Sequence, residues 1–277
     1  MQVIGKGDAT YILLSGIIVS DNVRLSDNVE LQPADTSHLD FNTTISTCSR
    51  PDDIAVVAAF IPRITSQFRI VASTPKELAA QAWNSSWDAL LLSALFHTEI
   101  GFNLQSDVPA EEIGMGSVLH ATNFHMYGIA NTESHKLTTD EAKWIVAHFK
   151  DARQLLENER FQTAVHCLAS YRWHSMPRIK LAVLWAGIEG MFGASSEIRF
   201  KISLYIARFL HQDDPEKRKL VFEAVKTLYN SRSTAVHGSK IKGDIDLAVE
   251  ESANILQKIL LQCVTNKSMP NEDDLVP

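Results

Sequence analysis

Arg232-Ser-Thr-Ala-Val-His237-Gly238 lies at the C-terminal end of the longest helix that the sequence predicts. Apolar residues repeat at helical spacing over residues 216–237, and Gly238 follows as a residue that commonly ends a helix. Five more helices are predicted around it, at about 139–157, 159–174, 178–193, 197–211 and 244–264. Long helices with short connections pack as antiparallel neighbours, so residues 136–277 are predicted to form an all-α helical bundle.

Residues 1–135 have a different pattern, which is typical of β structure. A β-branched run at 11–19 precedes alternating apolar and polar residues at 23–31, and the runs 54–61 and 68–72 are read as further strands. Residues 33–50 are interpreted as a loop or excursion and residues 101–134 as irregular, and Thr74-Pro75-Lys76-Glu77 predicts a helix start. The predicted fold class is therefore α+β, with a β-rich N-terminal domain at 1–135 and the helical bundle at 136–277.

Composition favours a reduced, cytoplasmic protein. The chain has 277 residues and 45% apolar content, which is enough for a full core. Cys48, Cys167 and Cys263 are isolated and odd in number, which argues against disulfides and against a zinc site. We expect no metal and no cofactor. No apolar run approaches the length of a membrane span and no signal peptide is visible, so no membrane association is expected.

The net charge of −7 argues against a protein that coats nucleic acid nonspecifically. Basic residues nevertheless outnumber acidic ones between positions 178 and 242. Such a basic segment in an acidic protein fits a confined anion site. On charge alone, ordinary solvated helix faces explain it equally well.

Arg232 and His237 carry the side chains of a metal-free phosphodiester cleavage. A guanidinium holds a phosphate through its planar fork, and an imidazole moves protons near neutral pH. An arginine followed closely by a histidine also arises by chance, and Arg160 with His166 is a second match that we interpret as structural. The residues around the two matches must therefore separate them.

The surroundings of Arg232 resemble those of HEPN domains, specifically the ApeA-like branch. The resemblance rests on Trp185-x-x-Ile188-Glu189, on a following helix that bears Arg208, and on Tyr229-x-x-Arg232-Ser233-x-x-Val236-His237-Gly238. It covers about residues 140–265 and is most specific over 178–240. Ser233 stands where many HEPN domains have Asn, Asp or His, which suits this branch. Residues 1–135 resemble no family known to us, and we interpret them as a sensing or restraining domain.

The resemblance implies a metal-independent endoribonuclease that acts as a toxin or as an anti-phage defence effector. In such proteins the bundle dimerises, and two Arg/His motifs line one cleft that cleaves RNA by attack of the 2′-hydroxyl. RNA and a second copy of the chain are the expected partners, and a regulatory partner protein is left open. Arg232 and His237 would be catalytic. The residues expected to support them or to bind RNA are Asn230, Ser231, Ser233, Glu189, Arg208 and Lys240.

Two other functions remain open from the sequence. The bundle could be a catalytically inactive HEPN module for dimerisation or for binding nucleotides or nucleic acids, or the N-terminal domain could hold the main function. Glu189 could accept from Arg208 or Arg232 in support of a site, or could form a buried ion pair only. An open basic cleft at Arg232 and His237 would favour the enzyme, and sequestration in ion pairs would favour the inactive module.

Helix geometry limits how Arg232 and His237 could act on one substrate. Side chains five residues apart on an ideal helix point about 140° away from each other. Arg232 and His237 can therefore act together only through a frayed last turn, the reach of the arginine side chain, or a two-fold partner.

Overall fold

The structure, a computed structural model, describes residues 8–48, 50–123, 133–193, 197–237 and 243–276. The chain divides into two compact units, Met1–Leu92 with Thr98–Lys150 and Ser93–His97 with Asp151–Pro277. The fold is mixed α+β, with the described strands in the first unit and a helical bundle in the second. This division places residues 136–150 with the first unit, whereas the sequence predicts a boundary between residues 135 and 136.

The first unit contains a six-stranded antiparallel sheet and one short parallel pair of strands. The described strands are β1 Ala9–Ser15, β2 Ile17–Ile18, β3 Val23–Arg24, β4 Val29–Pro33, β5 Ile64–Val71, β6 Gly101–Ser106, β7 Leu119–Ala121 and β8 His135–Lys136. The sheet order is β3-β4-β5-β1-β6-β7, and β2 pairs with β8. The strands predicted at 11–19, 23–31 and 68–72 are confirmed. β6 and β7 were missed, because buried polar residues such as Asn103 and Gln105 hide their apolar pattern.

The helices that begin before residue 156 are α1 Phe41–Ser46, α2 Asp53–Phe60, α3 Pro75–Leu95 and α4 Thr139–Leu155. The prediction of a strand at 54–61 is wrong, because these residues form α2. Val56, Val57 and Phe60 share one face of that helix and enter the core against Leu104 and Leu119 of the sheet. An apolar run this short has no period that separates a strand from a buried helix, and its acidic start favours the helix. Residues 33–50, interpreted as a loop or excursion, also contain the short helix α1.

Capping residues explain why two of these helices begin where they were predicted. The Thr74 hydroxyl accepts from the backbone N–H of Glu77 at 3.3 Å. Thr138 accepts from the N–H of Glu141 at 3.2 Å, and the Glu141 carboxylate accepts in return from the N–H of Thr138 at 2.8 Å. Each cap satisfies N–H groups that have no partner inside the first helical turn.

The second unit is a bundle built around one central helix. Its helices are α5 Glu159–Ser170, α6 Pro177–Phe192, α7 Ile198–Leu210, α8 Pro215–Val236, α9 Ile245–Asn266 and α10 Glu272–Leu275. α6 packs against α5, α8 and α9, and it carries the fully buried Trp185. The predicted helical bundle is therefore confirmed. Within the described residues, every helix is too short or too polar to cross a lipid bilayer.

Candidate functional site

The helix α8 carries the Arg/His motif, and local signals define both of its ends. The Asp214 carboxylate accepts from the backbone N–H of Lys217 at 3.0 Å, and Pro215 occupies the first turn. Both residues favour a helix start. The helix stays regular to Val236, and the N–H of His237 still donates to the carbonyl of Ser233 at 3.0 Å. The last turn is therefore not frayed, so the first of the three predicted ways of joining the motif residues is not used.

Arg232 forms an ion pair with Glu189 of α6. Its Nη2 donates to Oε2 of Glu189 at 3.1 Å, and its Nε lies 3.0 Å from Oε1. The second contact lacks hydrogen-bond alignment, because neither Nε nor Oε1 has a hydrogen-bond partner. The side chains are 22% and 24% exposed, so the pair is neither a surface pair nor a fully buried one. Of the two acceptor assignments left open for Glu189, the structure selects Arg232.

Burial dominates the electrostatics of Glu189. It raises the pKa of the Glu189 carboxyl above its ordinary value, and the Arg232 guanidinium opposes that rise. A guanidinium has five N–H donors, and the contacts with Glu189 involve only the Nε and Nη2 groups of Arg232. Glu189 therefore orients Arg232 without occupying all of its donors.

An aromatic pair supports Arg232 from the side of the bundle core. The carbon at the centre of its guanidinium lies 5.5 Å from the ring centroid of Tyr229, one turn earlier on α8. The Tyr229 ring packs edge-on against Trp185, and the Trp185 indole N–H donates to the Ser252 hydroxyl at 3.1 Å. Contacts of this kind fix a ring, and a fixed ring restricts the arginine beside it. Tyr229 thus packs in the bundle and supports Arg232 from there.

His237 lies at the C-terminal cap of α8, and it is exposed. Close to it, Nη1 of Arg178 donates to the carbonyls of Thr234 at 3.3 Å and of Ala235 at 3.1 Å. A cation at this point satisfies carbonyl groups that the helix itself leaves without partners. Arg178 thus holds the end of α8 against the start of α6 and fixes the backbone that presents His237.

Within one chain, the described residues do not bring Arg232 and His237 together. The regular last turn keeps their side chains about 140° apart around the helix. Arg232 points into the bundle toward Glu189, whereas His237 faces solvent. In one protomer, Arg232 and His237 therefore do not face a common space in which both could contact the same phosphate.

Of the remaining predicted site residues, some lie near Arg232, Arg208 lies elsewhere on the bundle, and Lys240 is not described. Asn230 lies beside the motif and accepts from Nη1 of Arg199 at 3.3 Å, while Ser231 and Ser233 are partly buried on α8. Arg208 is not part of this arrangement, because it lines a groove with Arg218 near the opposite end of α8. Of the two arginines left open as partners of Glu189, Arg208 is therefore not the one in contact with it. Lys240 lies outside the described residues, as does Gly238.

The second Arg/His match has a structural environment, in agreement with the interpretation from the sequence. The position of a β-carbon on Gly193 would lie 3.3 Å from Arg160, so that arginine packs at the C-terminal end of α6. His166 packs edge-on against Trp173, and burial lowers the pKa of its imidazole. Nothing in these contacts presents Arg160 and His166 to a common ligand.

Sequence reasoning missed the role of Arg178 and the groove cations Arg218 and Lys219. Arg178 occupies the first turn of α6, and only the crossing of α6 and α8 reveals that it caps another helix. Arg218 and Phe222 are one turn apart, and this i, i+4 spacing was the available signal for a shared face. Elsewhere in the described ranges, no group of three His, Cys, Asp or Glu side chains is arranged to hold a metal ion.

No family model matches the chain, and neither a curated protein nor a solved structure matches it. The resemblance to HEPN domains therefore rests on the motif residues themselves, and it stays a prediction. What the structure adds is a helical bundle in which Arg232 is oriented by Glu189 and His237 is presented at a helix end.

Proposed function

We propose that the chain is a metal-independent HEPN-type endoribonuclease whose active site is composed from two copies of the bundle. The observation that carries the proposal is the orientation of Arg232 by Glu189 and Tyr229, through contacts that do not use its Nη1 group. A side chain held in this way can bind charge that develops in a transition state without reorganising first. Resemblance supports a role in growth arrest as a toxin or in anti-phage defence.

The chemistry needs one anchored cation and two proton transfers. One imidazole takes the proton from the 2′-hydroxyl of RNA, and the 2′-oxygen attacks the adjacent phosphorus. The bond from phosphorus to the 5′-oxygen then breaks, and a second acid protonates the leaving oxygen. The products are a 2′,3′-cyclic phosphate and a 5′-hydroxyl. Arg232 would bind the phosphate oxygens throughout, since its charge does not change at any working pH.

The separation of the two motif residues supports a composite site. Arg232 and His237 diverge by about 140° on a regular helix, so a two-fold partner supplies the missing group more simply than bending of α8 would. In this arrangement Arg232 of one copy acts with His237 of the other.

Exposed apolar side chains surround the end of α8 and support association there. Val236, directly before His237, is 48% exposed. Met176 and Ile179 are 58% and 43% exposed, and they flank Arg178, which binds the Ala235 carbonyl. Apolar surface beside a proposed active site is what an interface between copies would cover.

The second candidate function is a catalytically inactive HEPN module for dimerisation or for binding nucleotides or nucleic acids. The ion pair between Arg232 and Glu189 favours it, because a guanidinium partly neutralised by a carboxylate attracts phosphate less strongly. The two functions differ in one measurable respect. Only the enzyme leaves new 5′-hydroxyl and cyclic phosphate ends on RNA.

Cleavage of total RNA and of tRNA by the full-length protein in EDTA tests the proposal. We expect the wild type to leave 2′,3′-cyclic phosphate ends, and Arg232→Ala and His237→Ala to lose at least about a hundredfold in rate. His174→Ala and Asp151→Asn are matched controls, because His174 also caps a helical segment and Asp151 also pairs with a cation of the second unit, Lys267. Wild-type cleavage that persists in both motif variants would reject the assigned site.

A further inference from the structure

An open groove lies between α7 and α8, near the loop that joins them. Its volume is about 350 Å³, and its walls are Leu204, Ala207 and Arg208 from α7 and Arg218, Lys219 and Phe222 from α8. Three of these six side chains are cationic, and none is acidic. The groove is therefore a concentration of positive charge in a chain whose net charge is −7.

The cations of the groove are not neutralised by carboxylates of the described residues. Arg218 donates to the backbone carbonyl of Gln212 at 3.3 Å, which positions its guanidinium but leaves its charge uncompensated. Two nearby acids, one at the cap of α8 and one on the helix, pair with other lysines. Asp214 lies 3.0 Å from Nζ of Lys217, and Glu223 lies 3.3 Å from Nζ of Lys226. An anionic ligand would supply the missing negative charge.

An aromatic ring accompanies these cations. Phe222 forms one wall of the groove, and its ring packs edge-on against Phe200 with the ring centroids 5.7 Å apart. Phe200 itself is 54% exposed, so a second aromatic surface continues outward from the groove. Cations that follow a phosphate backbone, together with aromatic rings on which bases stack, are the combination that binds single-stranded nucleic acid.

The groove and the Arg/His motif share a helix and nearly a face. Arg218 precedes Arg232 by fourteen residues, which corresponds to about 21 Å along α8 and to about 40° around it. A strand lying along α8 could therefore contact both. Arg232, which Glu189 holds in place, could contact one phosphate of such a strand, and the three cations of the groove could contact others.

We propose that this groove binds single-stranded RNA upstream or downstream of the cleaved bond, with phosphates at Arg208, Arg218 and Lys219 and a base against Phe222. The proposal rests on the proposed ribonuclease function, which it deepens by making the substrate an unpaired strand several nucleotides long. Because the groove and the motif are far apart on α8, the groove governs binding of RNA and not the chemical step.

Binding of a fluorescein-labelled 12-nucleotide thymidine oligodeoxynucleotide to the full-length protein tests the groove by fluorescence anisotropy. DNA lacks the 2′-hydroxyl, so binding is measured whether or not the protein cleaves RNA. We expect Arg218→Gln with Lys219→Gln to raise Kd at least about tenfold, and to reduce the slope of log Kd against log salt concentration by about 1.4. Phe222→Leu should raise Kd by about tenfold and leave that slope unchanged.

The matched control is Lys217→Gln with Lys258→Gln, which also removes two positive charges, but from residues that do not line the groove. We expect this control to change Kd less than about twofold. Equal losses in the groove variant and the control, or no binding by the wild type, would overturn the proposal.

Kinetics with an RNA substrate separate this proposal from the ribonuclease proposal. If the wild type cleaves, the groove variant should raise KM and keep kcat within about twofold, since the groove only binds. A loss of kcat with unchanged KM would overturn the groove as a binding site. If the wild type does not cleave, the ribonuclease proposal fails and the anisotropy data still decide whether the groove binds a strand.

Discussion

Replacement of Arg232 by alanine should destabilise the bundle in a pH-dependent manner. The change leaves Glu189, which is 24% exposed, without its cation. Breaking an exposed ion pair costs less than about 1 kcal/mol, and removing one partner of a fully buried pair costs about 3–5 kcal/mol. Because about three quarters of each side chain is buried, we expect Arg232→Ala to lower the free energy of unfolding by about 2 kcal/mol at pH 7.5.

The pH dependence follows from the pKa of Glu189. Burial already raises the pKa of this carboxyl, and loss of Arg232 removes the effect that opposes the rise. A carboxyl whose pKa is higher in the folded state adds stability below its unfolded pKa, and loses it as the pH rises through the folded pKa. The cost of Arg232→Ala should therefore shrink when the pH falls from 7.5 toward 4.5, where Glu189 becomes neutral.

Urea unfolding followed by tryptophan fluorescence, at pH 7.5 and at pH 4.5, measures both effects. Glu189→Gln should cost less than Arg232→Ala at pH 7.5, because the amide oxygen of glutamine can still accept from Nη2 of Arg232. Asp151→Asn is the control, since its partner Lys267 is 67% exposed and the pair should contribute less than about 1 kcal/mol. A cost of Arg232→Ala that is equal at the two pH values, or greater at pH 4.5, would refute the assignment of Glu189 as a partly buried carboxyl held by Arg232.

Three further predictions concern other parts of the fold. Burial lowers the pKa of His120, so its contribution to stability is present above about pH 6.5 and is lost as the pH falls through the lower folded pKa. His120→Gln should therefore reduce the fall in melting temperature between pH 7 and pH 5. Cys48, the most exposed thiol, should react first with Ellman's reagent, whereas Cys263, whose pKa burial raises to about 12, should react only after unfolding. Ser252→Ala should cost about 1–2 kcal/mol in urea unfolding, because it leaves the buried indole N–H of Trp185 without its acceptor.

Long helices with clear caps could be predicted from the sequence. All six helices expected after residue 136 are present, because Pro, Gly, Asn and Asp residues mark their ends and the segments between them are long enough to show a helical period. The prediction of a strand at 54–61 was wrong for the opposite reason. Eight apolar residues without polar interruptions contain no period, and only packing against the sheet makes them a helix.

The candidate site could be predicted in its residues but not in its contacts. Arg232, His237 and Glu189 stand out in the sequence, yet the choice of Arg232 over Arg208 as the partner of Glu189 depends on how α6 crosses α8. The same crossing places Arg178 on the carbonyls of Thr234 and Ala235. Contacts between helices that lie far apart in the sequence cannot be predicted from a local sequence pattern.

The regular end of α8 has the largest consequence for mechanism. The sequence allowed a frayed last turn, which would have let one chain supply both motif residues. The N–H of His237 instead continues the helical hydrogen bonding, and Arg178 covers the terminal carbonyls. This geometry removes the frayed turn from the alternatives, and it is the reason why we propose a site composed from two copies.

The central claim, that Arg232 and His237 act on one phosphate from different copies, is tested most directly by mixing two inactive variants. Arg232→Ala and His237→Ala are incubated together in equal amounts under conditions that allow subunits to exchange, and RNA cleavage is measured in EDTA. A mixed dimer would contain one intact pair contributed by both chains, so the mixture should recover about a quarter of wild-type activity. A mixture as inert as either variant alone, beside an active wild type, would contradict the composite site.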